Sequence, residues 1–90
     1  MNDELIAEAE IGDKAREFVE SELGKTLLGM AKQEVALAQE ALEIVEPTDI
    51  EKIRALQNQA KIARYFEQWL AELISKGENA LILWKQNQET

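Results

Sequence analysis

Glu46-Pro47-Thr48-Asp49-Ile50-Glu51 is the stretch on which the reading of this 90-residue chain depends. Pro47 lacks a backbone N–H, and its ring clashes with the preceding helical turn. It also drives Glu46 toward extended conformations. Thr48 is an N-cap residue type, and Glu51 lies three positions on, where a capping box places its acid. The stretch therefore predicts one helix ending near Val45 and another starting at about Asp49, with the turn at 46–49.

Both flanks carry helical periodicity. Upstream, Leu28, Ala31, Val35, Ala38, Leu42 and Val45 recur at spacings of three and four, the seam of a helix packed on a partner. Leu27, Leu37 and Ile44 widen the stripe beyond what one partner covers. Downstream, Ile53, Leu56, Ala60 and Ala63 start a seam that Phe66, Leu70, Leu73, Gly77, Ala80 and Trp84 continue. A second strip contains Ile62, Trp69, Ile74 and Leu81. Ser75-Lys76-Gly77 resembles a helix stop, but Ala80 and Trp84 stay in phase with Leu70 and Leu73, which predicts a helix running through Gly77. The polar end, residues 87–90, is expected to fray.

The first quarter of the chain is different. Residues 1–24 hold eight acids and two bases, whereas residues 25–90 hold ten acids and eight bases. Leu5, Ile6 and Ala9 form one helical group, and Ala15, Phe18, Val19 and Leu23 form another. Gly12-Asp13 separates them, with Asp13 as an N-cap type. The expectation is an acidic, frayed segment over residues 1–12, then a helical hairpin domain over 13–86. Gly24 and Gly29 interrupt a strong helix former at roughly 1 kcal/mol each relative to Ala. The reading assigns them a packing role opposite aromatic rings, or a bend near Gly24.

Composition excludes several classes. With no Cys there is no disulfide framework and no thiolate metal site. With no His the commonest general base and imidazole ligand are missing. Glu40 and Glu43 are neighbours at i,i+3, but buried carboxylates are rare and a solvated face explains them better. Neither a calcium loop nor a Gly-rich phosphate loop occurs, and Ser21 and Ser75 have no base to activate them. The chain reads as a non-enzyme without cofactors. A net charge of −8 opposes direct binding to nucleic acid and to anionic membrane surfaces. The longest apolar run late in the chain, residues 80–84, is far too short to span a bilayer. An acidic N-terminus without a following apolar run is unlike a signal peptide, so an intracellular protein is expected.

Ile53-Arg54-Ala55-Leu56-Gln57-Asn58-Gln59, then Tyr65-Phe66-Glu67-Gln68-Trp69-Leu70-Ala71-Glu72-Leu73-Ile74 and Gly77, is similar to small uncharacterised helical proteins of tailed bacteriophages and prophages. These sit among genes for head and packaging functions. Leu23-Gly24-Lys25 and the acidic run up to Pro47 fit the same pattern, and the resemblance covers most of residues 20–80. It implies a viral protein that acts by contact, in the host cytoplasm or associated with the virion. It supplies no activity and no functional residues.

The resulting expectation is an all-α protein, a long antiparallel hairpin with a short N-terminal helix, assembled into a helical-bundle homo-oligomer because so small a core is marginal alone. The short turn forces the two helices antiparallel and pairs residues whose numbers sum to about 95. The hairpin and oligomer contacts are assigned to Leu28, Val35, Leu42, Ile53, Leu56, Ile62, Phe66, Trp69, Leu73, Leu81 and Trp84. Leu5, Ile6, Glu8, Glu10, Glu17 and Phe18 are candidates for docking on a partner with a basic surface. Two functions are compatible with this: a structural, assembly or adaptor protein, and an acidic inhibitor that mimics nucleic acid.

Overall fold

Pro47 and its neighbours end one helix and start the next. The computed structural model describes residues 2–89. Over these residues the chain is all-helical: α1 is Asn2–Glu20, α2 is Glu22–Ile44 and α3 is Ile50–Glu89. The cap of α3 sits one residue later than the sequence suggests. Asp49, not Thr48, accepts a hydrogen bond from the Lys52 amide on its Oδ1 at 3.2 Å, and the Ile53 amide donates to the Asp49 carbonyl at 3.1 Å. With Asp49 at the cap, the third helical position is Lys52, so Glu51 closes no capping box. The Asp49 amide in turn donates to the Glu46 carbonyl at 2.9 Å, which closes the turn around Pro47.

Two boundaries differ from expectation. Gly12-Asp13 does not divide the N-terminal segment: α1 is continuous through both, and Asp13 lies inside the helix. The break falls instead at Ser21. Its hydroxyl donates to the Phe18 carbonyl at 2.6 Å and accepts from the Gly24 amide at 2.9 Å. Ser21 is thus the N-cap of α2, satisfying the amide of the third helical residue. At the other end α3 runs to Glu89, and its 40 residues form one helix that passes through Gly77 without interruption.

By their contacts, the residues divide into two units: Met1–Lys25 with Trp69–Thr90, and Thr26–Gln68. In the first unit α1 packs on the C-terminal part of α3 through glycine. A Cβ on Gly12 would lie 2.7 Å from the Gly77 Cα and 2.9 Å from the Leu73 carbonyl oxygen. Reciprocally, one on Gly77 would lie 2.7 Å from the Gly12 Cα and 3.1 Å from the Glu8 carbonyl oxygen. The two backbones touch where neither residue has a side chain. Ala15 and Ala80 are buried in this unit, and Leu5, Leu70, Ile74 and Trp84 are half-buried. Across the same pair, Arg16 Nη2 lies 2.6 Å from Glu78 Oε1, between side chains 42% and 58% exposed. A pair so exposed contributes about 0–1 kcal/mol.

In the second unit α2 meets the N-terminal part of α3. Ala38, Ala60 and Ala63 are buried, flanked by half-buried Leu28, Val35, Leu42, Ile53, Leu56 and Phe66. Gln59 Nε2 donates to Glu34 Oε2 at 3.0 Å.

Gly29 does not have the packing role assigned to it, whereas the chain does break near Gly24. Nothing lies within 4 Å of a Cβ built on Gly29; Phe66 lines a groove with Met30 and Ala31 instead. At Gly24 a Cβ would run into the Phe18 carbonyl, six residues earlier in the chain. Gly24 therefore permits the Ser21 break.

Candidate interaction surface

The interior consists of small residues. Among the described residues the buried apolar ones are Ala15, Ala38, Ala60, Ala63 and Ala80, no large side chain is fully buried, and no polar or charged residue is buried. The large apolar side chains lie between half-buried and open. Met30, Leu37 and Ile44 recur every seven residues along α2 and are 56%, 48% and 85% exposed. On α3, Ile50, Ile62 and Tyr65 of the second unit are exposed, as are Trp69, Leu73, Leu81, Ile82 and Leu83 of the first. A seven-residue repeat keeps side chains on one face of a helix, so the three lie in one row, with the exposed Glu34 between Met30 and Leu37.

This separates the expected contact residues into two sets. Leu28, Val35, Leu42, Ile53, Leu56, Phe66 and Trp84 are half-buried within the chain, whereas Ile62, Trp69, Leu73 and Leu81 are exposed. Of the side chains expected to stay wet without a further partner, Leu37, Ile44, Ile62 and Leu81 are exposed, and Leu27 and Ile74 are half-buried. The candidate docking residues of α1 divide similarly. Glu8, Glu10 and Glu17 are exposed, but Leu5 lines a groove with Leu81 and Trp84, and Phe18 is half-buried. Ile6 lines the same groove at 40% exposure. Leu5 and Phe18 are thus committed, at least in part, to contacts within the chain.

The grooves between helices are shallow and apolar or mixed. In the second unit one is lined by Met30, Ala31, Glu34, Gln59, Ile62, Ala63 and Phe66. Another between the same helices is lined by Gln39, Leu42, Gln57, Ala60, Lys61 and Arg64. Lys61 and Arg64 lie about 100–160° around α3 from Ile62, so the two-helix layer has one apolar flank and one polar flank. No group of three or more metal-ligating side chains occurs among the described residues. No described helix is long and apolar enough to cross a membrane.

No protein-family model matches the chain, and comparison with curated proteins and with solved structures returned no match.

Proposed function

We propose that this is a non-enzymatic helical interaction protein, an assembly or adaptor protein that works by associating with itself and with a protein partner. The observation that carries the reading is the exposure of large apolar side chains: Met30, Leu37, Ile44, Ile62, Trp69 and Leu81 are all exposed, while the buried apolar side chains among the described residues are alanines. Covering such side chains is the favourable term in association. The resemblance that most of residues 20–80 bear to phage and prophage proteins would make the assembly a viral one. Sedimentation velocity across the micromolar range tests the reading: it expects a mass above that of one chain. A folded species of 10.2 kDa at every concentration would overturn it.

The alternative, an acidic mimic of nucleic acid, gains one observation and loses by a magnitude. In favour, α1 is a regular helix bearing exposed Asp3, Glu4, Glu8, Glu10, Asp13, Glu17 and Glu20. These seven acids spread over 19 residues, about 28 Å of helix, or one charge per roughly 4 Å. Duplex DNA carries one per about 1.7 Å. Lys14 and Arg16 dilute the row further. The density falls short of a phosphate backbone by more than twofold, so the interaction reading stands ahead.

A further inference from the structure

We infer that the apolar flank of the Thr26–Gln68 unit is a self-complementary interface, and that its occupant is the same flank of a second copy of this chain. The inference rests on the interaction reading above and adds the surface and the partner to it. The flank joins the α2 row Met30, Leu37 and Ile44 to Ile62 and Phe66 of α3. Its central polar groups, Glu34 and Gln59, already hydrogen-bond to each other, so the Gln59 amide meets the partner surface with one bond already made.

Two arguments select a second copy. Two helices side by side make a single layer, and a stable domain needs a second layer against its apolar side. A two-fold axis supplies that layer from an identical one and completes a four-helix arrangement. The charge fits as well. Residues 26–68 hold seven acids and five bases, so this unit carries only −2 of the −8 total, and like-charge repulsion between copies is weakest here. A basic partner would find little to attract it on this flank.

Leu37→Lys and Ile62→Lys test the surface. Both side chains are largely exposed in the single chain, at 48% and 68%, so the substitutions leave the helices of each chain unopposed. Lys61→Ala, on the polar flank, is the control. Wild type and the control are expected to sediment as dimers. Each lysine on the apolar flank is expected to weaken dimerisation about 100-fold or more, because an unpaired ammonium would be buried. Circular dichroism at low temperature, with enough protein to populate each species, is expected to show the helical signal retained. Dimers that persist in both lysine variants would overturn this interface while leaving the interaction reading intact. A wild type of three or more chains would overturn the two-fold arrangement. A monomeric wild type would overturn both.

Discussion

Gly12→Ala and Gly29→Ala are the same chemical change in two helices, and the structure gives them opposite signs. At Gly12 the new methyl carbon would lie 2.7 Å from the Gly77 Cα and 2.9 Å from the Leu73 carbonyl oxygen. Ordinary carbon contacts begin near 3.5 Å. Both obstacles are backbone, so no side chain can rotate away and α1 must move off α3. Overpacking of this kind costs about 1–3 kcal/mol. Replacing a helix glycine by alanine returns roughly 1 kcal/mol, leaving a net loss of up to about 2 kcal/mol. At Gly29 nothing lies within 4 Å of the added carbon, so only the gain of roughly 1 kcal/mol remains. For a chain of this size each kcal/mol moves the melting temperature by about 4–8 °C. Thermal melts followed by circular dichroism, all at one protein concentration because association shifts the midpoint, should place Gly12→Ala below wild type and Gly29→Ala above it. Gly77→Ala should behave like Gly12→Ala. Equal stabilisation by alanine at positions 12 and 29 would refute the backbone contact.

The helix boundaries give a second pair: Asp49→Ala should lower stability by about 1 kcal/mol and Thr48→Ala by much less, readable in urea melts; the reverse order would return the cap to Thr48. Ser21→Ala should cost a similar amount to Asp49→Ala, since one hydroxyl serves both the Phe18 carbonyl and the Gly24 amide. Arg16→Ala should lose no more than about 1 kcal/mol, because its partner Glu78 is exposed. Deleting residues 1–12 removes Gly12 and the Leu5 groove contact, so the melting temperature should fall, whereas an unchanged melt would show that α1 adds nothing. Because each copy carries −8, raising salt from about 0.05 M to about 0.5 M should tighten self-association by screening repulsion; weakening in a dilution series would point to an ion-paired interface instead.

The helical character of the chain was legible because Pro47 and the three-four spacing of Leu28, Val35 and Leu42 each admit one physical reading. The uninterrupted course of α3 through Gly77 followed from phase, since Ala80 and Trp84 could share a face with Leu70 only in an unbroken helix. The glycines were legible only near Gly24, where a bend was one of two readings. A glycine within a helical pattern can mark a break, a close approach or nothing at all, and the choice depends on what lies opposite. Gly12 looked like a break and is a contact with Gly77, 65 positions away. Gly29 looked like a contact and faces open space. Gly24 depends on a carbonyl six residues earlier, so its meaning was local, but it required placing the break at Ser21. The cap slipped by one residue because Thr48 and Asp49 are both good N-cap types, and only the geometry of the Pro47 turn separates them. The acidic α1 was underestimated for a related reason: its charge suggested a solvated tail, while the small residues Ala9, Gly12 and Ala15 on its other side carry the packing.

The division of the chain also fixes an order of events during synthesis. The Thr26–Gln68 unit is one uninterrupted stretch, so its helices can meet as soon as residue 68 has emerged. The other unit joins two separate stretches, and α1 cannot meet its partner in that unit until the region around Gly77 and Trp84 is translated. At about 5–20 residues per second that interval lasts several seconds, during which Leu5, Ile6 and Ile11 are available to a chaperone or to another nascent chain. When the C-terminal part of α3 does arrive, the loop it must close has already been shortened by the finished middle unit, which lowers the entropy cost of bringing the ends together.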